Sequence, residues 1–210
     1  MTIDEFFPSI SIRIPGVAEP LMADACRRAL KTFFQQSSAW LLWSPTVAVS
    51  LSEVQVASQL PEAINSIQKV RILDGANLIA TSEDTLDNNR PGWRNEKGSV
   101  ATHYYCDAQN HIYLVPKPET AKTYMAQISL FPTPDSCDIP DWIGQFWVDE
   151  IVDGACAYLH AIPGRDYTDQ AAAQKYEERL VNAARDAKVK VDRSHVREVR
   201  SARLTSFEAL

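Results

Sequence analysis

A helical hairpin over residues 140–188 constrains the fold of this chain more than any other stretch. In its first half, apolar side chains recur every three to five residues, which places them along one broad helical face. These side chains are Ile143, Trp147, Ile151, Cys156 and Leu159. The run Ile162-Pro163-Gly164 ends this helix, and a second helix begins at about Asp169, an N-cap residue type. The apolar stripe of the second helix is mostly alanine, so a neighbouring helix can pack closely against it.

Two further elements are predicted before the hairpin. Residues 1–17 alternate Ile10, Ile12 and Ile14 with polar residues, which predicts a short strand-like arm. A helix is then predicted from about residue 19 to residue 36, with the apolar residues of one face at helical spacing. That face consists of Met22, Cys26, Ala29 and Phe33.

Residues 38–137 have the composition of short strands separated by turns. One hairpin is predicted between residues 67–73 and 78–80 across Asp74-Gly75, and a second between residues 102–106 and 112–115. Between them, Ser82 is a candidate N-cap for a short helical turn.

The order of these elements predicts an α+β fold. We expect a helical bundle, made of one N-terminal helix and the C-terminal helical hairpin, with an inserted antiparallel β lobe and an extended C-terminal tail. Residues 1–37 and 138–190 would form the helical lobe and residues 38–137 the β lobe. Residues 191–210 would form a docking tail.

Charge divides the chain into an acidic body and a basic end. The net charge is −6, but residues 1–184 carry 14 Lys+Arg against 23 Asp+Glu, a net of −9, and residues 185–203 have a net of +4. Because phosphate affinity comes from Lys and Arg that displace counterions, the acidic body is a poor binder of nucleic acid. The basic end suits a phosphate or an acidic groove on a partner.

Membrane and secretory signals are not expected in this sequence. We find no run of eighteen apolar residues, and the first residues have neither a basic region nor an apolar core like those of signal peptides. The four cysteines are far apart and form no CxxC pair, which argues against a disulfide framework and a zinc knuckle. We expect Cys26, Cys106, Cys137 and Cys156 to be reduced.

Two clusters of polar residues could carry chemistry. His103, Cys106 and His111 lie within nine residues of one another, but this spacing matches no common zinc pattern, so ordinary hairpin side chains are the favoured interpretation. Asp149, Glu150 and Asp153 form an acidic patch on the first helix of the hairpin. With no histidine, lysine or nucleophile motif beside them, a solvated face or the lining of an acidic channel is favoured over acid–base catalysis.

The tryptophans are candidate packing or interface residues. Trp142 and Trp147 lie on the apolar side of the hairpin helix, so we expect them in the core. Trp93 lies in a turn between Gly92 and Arg94, where burial is harder, and we predict that it is an interface residue.

Six segments follow one another along the chain in a distinctive order: ACRRALKTFFQQS (25–37), KVRILDGANL (69–78), LDNNRPGWR (86–94), THYY (102–105) with IYLVPKP (112–118), DIPDWIGQFWVDEIVDGACAYL (138–159) and PGRDYTDQAAAQKYEERLVNA (163–183). In this order, they resemble the head-to-tail adaptor family of tailed bacteriophages, of the tail tubular protein A type. No single segment is decisive, and the resemblance rests on their order and spacing.

The resemblance implies a ring, commonly of twelve subunits, docked beneath the portal in the virion neck and assembled in the host cytoplasm. In such rings the helical lobe surrounds a DNA channel, the β lobe contacts the next tail or nozzle protein, and a C-terminal segment grips the portal. By position, the portal-docking residues would be Arg193, Val196, Arg197, Arg200, Arg203, Leu204 and Phe207. The channel lining would include Asp149, Glu150 and Asp153.

A non-enzymatic virion protein without cofactor or metal is therefore predicted, with the portal, the next tail protein and its own copies as partners. DNA would pass through the lumen without specific binding. Two other functions stay open: a small metal-dependent hydrolase that uses the acidic patch, and a nucleic-acid-binding module that acts through the tail.

Overall fold

The structure, a computed structural model, describes residues 1–56, 63–73, 75–133 and 139–192. Helices come first and last along these residues, and strands lie between them. The N-terminal elements are a 3-10 turn (Ile3–Phe6) and helices α1 (Phe7–Arg13) and α2 (Glu19–Ser37). The strand region comprises β1 (Leu41–Ala48), β2 (Glu53–Val56), β3 (Ala63–Ile72), β4 (Ile79–Ala80), α3 (Glu83–Asn89), a 3-10 turn (Trp93–Asn95), β5 (Lys97–Gly98), β6 (His103–Cys106), β7 (His111–Val115), β8 (Lys117–Pro118) and β9 (Tyr124–Phe131). The C-terminal helices are α4 (Asp141–Phe146), α5 (Val148–His160) and α6 (Gln170–Asp192).

Helices α2, α5 and α6 pack together around one apolar cluster. Helix α2 has the predicted bounds to within one residue, and its predicted apolar face is buried. The hairpin is also confirmed, because α5 and α6 follow one another and contribute to the same apolar cluster. Asp169 is the predicted N-cap, since its Oδ1 accepts a hydrogen bond from the backbone N–H of Ala172 at the start of α6. Its first helix is divided at Trp147 into α4 and α5.

The N-terminal arm is helical, so the predicted strand is wrong. Ile3, Phe6, Ile10 and Ile14 are all buried and belong to the apolar cluster of the helices. Their spacing of three or four residues is that of a helical face. The alternation of Ile10, Ile12 and Ile14 misled the prediction, since Ile12 is 83% exposed while the other two are buried.

Seven of the strands form one mixed sheet in the order β3-β9-β1-β2-β7-β6-β4. Neighbouring strands are antiparallel except β4 and β6, which are parallel. The two edge strands come together where the N–H of Leu78 donates to the carbonyl of Val70 at 2.8 Å, next to a bridge between Arg71 and Asn77. The sheet is therefore curled into a nearly closed barrel with its own apolar cluster.

This sheet overturns the predicted fold class. The chain is α+β, but it is not mainly a helical bundle with a small antiparallel β lobe, because the large mixed sheet forms a second core beside the helices. Trp40 packs against both apolar clusters and so joins the two layers. The predicted division into residues 1–37, 38–137, 138–190 and 191–210 stays a prediction.

Local signals within the strand region had mixed outcomes. The hairpin of β6 and β7 is confirmed, and Ser82 Oγ caps α3 by accepting from the N–H of Thr85 at 3.2 Å. The two strands predicted to form a hairpin across Asp74-Gly75 pair mainly with other strands, β3 with β9 and β4 with β6. In the described part of the chain, they contact each other only at the two edges of the sheet. Asp74 itself lies outside the described residues.

Candidate assembly surfaces

The predicted acidic patch is held by arginines from two other helices. Asp153 is buried on α5, where Arg13 from α1 and Arg179 from α6 both donate to its carboxylate. Arg13 also donates to Asp149 at 3.2 Å, although the Asp149 side chain is 85% exposed. The carboxylate of Asp153 therefore links three helices. Of the three acidic side chains, Asp149 is exposed to solvent and Glu150 is partly exposed. Whether Asp149, Glu150 and Asp153 line a channel stays a prediction.

The predicted portal-docking residues, Arg193, Val196, Arg197, Arg200, Arg203, Leu204 and Phe207, lie outside the described part of the chain. Helix α6 continues to Asp192, immediately before them.

The histidines near Cys106 have protein partners of their own. His111 Nδ1 is 2.9 Å from Asp107 Oδ2, and His103 Nδ1 is 2.8 Å from the hydroxyl of Thr102. His103 lies opposite Val115 in the hairpin, and Cys106 lies opposite Ile112. Within the described ranges, no group of three or more His, Cys, Asp or Glu side chains could hold a metal ion.

The buried cysteines are thiols held in the helical core. Cys26 and Cys156 are both free and fully buried. Burial, together with a smaller effect of the neighbouring Cys156, raises the pKa of the Cys26 thiol to about 12. Because the thiolate is the reactive form, these two cysteines are poor nucleophiles.

Trp93 is buried, so the prediction that it is an interface residue is wrong. Its side chain is 5% exposed, and its indole N–H donates to Asp87 Oδ1 at 2.8 Å. Tyr105 on β6 meets the ring edge to face at 5.6 Å between centroids. The turn after α3 is thus folded onto the sheet, and Trp93 is buried against apolar side chains of the sheet.

An apolar groove lies where the helices meet the sheet, and we call it the junction groove. Its volume is about 610 Å³. The walls are formed by the residues that lead into β1, by α4 and by the end of α6. The groove is lined by Ala39, Trp40, Leu41, Trp142, Phe146, Trp147, Ala187, Lys190 and Val191.

The junction groove combines an exposed aromatic surface with one positive charge. Phe146 is 66% exposed, which is unusual for a phenylalanine in a folded domain. Lys190 Nζ lies 4.4 Å from the centroid of the Trp147 ring, in cation–π geometry. The predicted core position of Trp147 is confirmed at 8% exposure, whereas Trp142 is only half-buried. Such a surface suits an apolar partner that carries a negative charge.

A second apolar surface, which the other described residues leave exposed, lies at the turn between β1 and β2. We call residues 47–53 the β1–β2 tip. Val47 and Val49 are each 57% exposed and Leu51 is 51% exposed. The backbone N–H groups of Val49 and Ser50 both donate to the carbonyl of Glu53 at 3.0 Å. The turn therefore satisfies these two donors internally and presents apolar side chains to solvent.

The sheet next to this tip is acidic. Glu53 pairs with Tyr113 across β2 and β7. Partial burial raises the pKa of the Tyr113 phenol, and the carboxylates of Glu53, Asp107 and Glu83 raise it further. The carboxylates of Glu53 and Asp107 thus both lie near Tyr113, whose hydroxyl donates to Asp107 Oδ2 at 3.2 Å.

Sequence reasoning missed both apolar surfaces. Val47, Val49 and Leu51 alternate with Ala48 and Ser50 in the sequence, which is typical of a strand but does not show whether another part of the chain covers the apolar side. The first helix of the hairpin was expected to be unbroken, so the division at Trp147 and the exposure of Phe146 were not foreseen. A usable signal was the concentration of Trp40, Trp142 and Trp147 near the predicted boundaries between helices and strands.

Comparisons with known proteins give one match to a family and none to a curated protein. The family model described as SU10 adaptor protein matches residues 1–204. No curated protein matches the chain. Among the described helices, none is long and apolar enough to cross a membrane.

Proposed function

The chain belongs to the SU10 adaptor protein family, and from this premise we propose that its copies form a closed ring beneath the portal of a tailed phage. The family is one of phage head-to-tail adaptors, which are structural proteins of the virion neck that associate with portal and tail proteins. The resemblance to head-to-tail adaptors is thereby confirmed, whereas the tail tubular protein A type stays a prediction. The family match over residues 1–204 is the observation that carries the proposal.

In the proposed ring, the helical side surrounds a DNA channel and the sheet side receives the next tail or nozzle protein. The net charge of −9 over residues 1–184 supports this arrangement, because a negatively charged conduit repels phosphates and lets DNA pass. The exposed carboxylate of Asp149 is a candidate contributor to that lining. Twelve copies are the expected number.

The proposed attachment to the portal uses the basic segment that follows α6. This segment contains the seven predicted docking residues from Arg193 to Phe207. A basic and partly apolar segment suits binding to an acidic groove of the portal. We expect purified copies to stay apart until the portal templates the ring, since the apolar stripe of α6 is narrow and mostly alanine. A stable ring formed without portal would contradict that last expectation.

Deletion of residues 193–210 tests the attachment. The three apolar clusters of the described residues lie within residues 1–192, so the shortened chain should keep the circular dichroism spectrum and the melting temperature of the full chain. Its binding to purified portal, measured by co-sedimentation, should fall at least tenfold. A shortened chain that binds portal as tightly as the full chain would contradict portal docking by this segment. Binding of free DNA that is strong, sensitive to salt and lost with the deletion would favour a nucleic-acid-binding module.

A further inference from the structure

We propose that the junction groove of one copy receives the β1–β2 tip of the neighbouring copy and that this contact joins successive copies in the ring. The inference rests on the ring assembly proposed above. It adds the two surfaces that meet, the direction of the contact and the residues that determine it.

The junction groove has the properties of a receiving site for apolar side chains. Its aromatic residues belong to both layers, because Trp40 leads into the sheet while Trp142 and Phe146 lie on α4. The ring centroid of the buried Phe34 on α2 lies 5.4 Å from that of Trp40 and 6.1 Å from that of Trp142. These contacts with the core restrain both tryptophan side chains. A groove with rigid aromatic walls loses little side-chain entropy when it is filled.

The β1–β2 tip has the complementary properties. It places Val47, Val49 and Leu51 in solvent within five residues. Burial of such side chains against aromatic walls stabilises a contact in proportion to the apolar area that is removed from water. The tip is also narrow, since the two strands that carry it pair directly through Ala48 and Val54.

The charges of the two surfaces are opposite. Lys190 lies at the groove, and Lys188 precedes it on the exposed side of α6. Glu53 is the last residue of the tip and lies opposite Tyr113 on β7, whose hydroxyl donates to the carboxylate of Asp107. Complementary charges at the edge of a contact favour the correct partner and register. The tip combines an apolar surface with a negative charge, and it therefore suits a groove that combines an apolar surface with a lysine.

The groove and the tip of one copy lie at opposite ends of β1, so the proposed contact must join two different copies. The groove is lined by Leu41 at the first residue of β1, and the tip begins at Val47 near its end. An eight-residue strand is about 26 Å long, so one copy cannot place its tip in its own groove. Each copy offers one tip and one groove, which is a heterologous interface that generates a ring when the rotation closes.

Photo-crosslinking from Phe146 tests the inference on rings assembled with portal. A photoreactive phenylalanine analogue replaces Phe146, which is exposed enough that folding does not depend on it. Rings are assembled from a mixture of isotopically labelled and unlabelled copies, and crosslinked peptides are identified by mass spectrometry. We expect crosslinks to residues 47–53 that join labelled to unlabelled peptides. The same analogue at Ile12, which is 83% exposed on α1, serves as the control and should not crosslink to the tip.

The results distinguish the possible occupants of the groove. Crosslinks from position 146 to the portal, to residues 193–210 or only within one copy would overturn the inference and identify the true occupant. If rings form on the portal by electron microscopy without the crosslink to the tip, the inference fails and the proposed function stands. If no ring forms at all, both fail.

A charge exchange provides an independent test. Lys190→Glu and Glu53→Lys should each lower the yield of rings at least threefold at low salt, because each places like charges together. The double variant should recover most of the yield, since the pair is restored with its signs exchanged. A double variant that assembles no better than the worse single variant would contradict the contact.

Discussion

Arg13 on α1 forms an ion pair with the buried carboxylate of Asp153 on α5. Arg179 on α6 donates to the other oxygen of that carboxylate at 3.3 Å. One side chain of the acidic helix thus ties together the N-terminal helix and both helices of the hairpin. The helical scaffold of the adaptor depends on this charge as well as on its apolar core.

Substitution Arg13→Ala should destabilise the protein. The Asp153 side chain is only 9% exposed, and removal of one partner of a buried ion pair typically costs about 3–5 kcal/mol. Because Arg179 remains and Arg13 is partly exposed, we expect a loss of about 1–3 kcal/mol in the free energy of unfolding, measured by urea denaturation. The matched control is Asp149→Ala, which removes the exposed partner of the same arginine and should cost less than about 1 kcal/mol. Equal effects of the two substitutions would contradict the special role of Asp153.

Substitution Gly154→Ala should also be destabilising, although alanine has the higher helix propensity by about 1 kcal/mol. A Cβ at Gly154 would lie 2.7 Å from Leu180 Cδ2 and 3.0 Å from Ala29 Cβ, where α5 meets α6 and α2. Overpacking of this kind costs about 1–3 kcal/mol. Thermal unfolding of the single variant and of Gly154→Ala with Leu180→Val gives the measurement. The cost of Gly154→Ala should be smaller in the Leu180→Val background; an increase in stability from Gly154→Ala alone would show that the helices are not closely packed there.

The ion pair beside Trp93 should make the sheet side sensitive to acid. Hydrogen bonds from Arg94 and then from Trp93 lower the pKa of Asp87 below its ordinary value. A carboxyl group with a lowered pKa in the folded state stabilises the protein above the ordinary pKa and loses this contribution as the pH falls through the folded value. Asp87→Asn should therefore lower the melting temperature at pH 7, and the difference from the unsubstituted protein should shrink below about pH 4.

Melting followed by far-ultraviolet circular dichroism between pH 7 and pH 3 measures this difference. Asp84→Asn, on the same helix, is the matched control and should lower the melting temperature at pH 7 by less than Asp87→Asn does. A difference between Asp87→Asn and the unsubstituted protein that stays constant down to pH 3 would show that the Asp87 charge does not contribute.

The elements with strong helical periodicity could be predicted from the sequence. Helix α2 and the hairpin of α5 and α6 have long apolar stripes with clear start and stop signals, and local spacing determines such helices. Residues 1–17 were mistaken for a strand-like arm because Ile10, Ile12 and Ile14 satisfy a period of two. The buried set Ile3, Phe6, Ile10 and Ile14 satisfies the helical period better, and Pro8 is well placed in the first turn of α1.

The architecture of the sheet could not be predicted in the same way. Strand β9 lies between β1 and β3, and β4 pairs in parallel with β6. These are long-range pairings that no turn sequence encodes. The turn at Asp74-Gly75 suggested a hairpin, but β3 finds a longer partner in β9, with which it pairs over most of its ten residues. Tertiary pairing therefore overrides the local turn signal.

The candidate surfaces show the same limit. The charge of the patch at Asp149, Glu150 and Asp153 was evident from the sequence, but the burial of Asp153 required Arg13, which is 140 residues away. Trp93 was expected to be exposed because its turn is polar, and Tyr105 from a distant strand covers it instead. The junction groove draws its residues from three separate parts of the chain.

Electron microscopy of the full chain mixed with its purified portal tests the central claim most directly. The account predicts that a closed ring, with the same rotational axis as the portal and an open lumen, appears beneath the portal in two-dimensional class averages and in a reconstruction. The chain without portal, imaged at the same concentration, should show single copies. Portal particles that remain bare under saturating amounts of folded chain, or that carry isolated copies with no ring, would contradict the account.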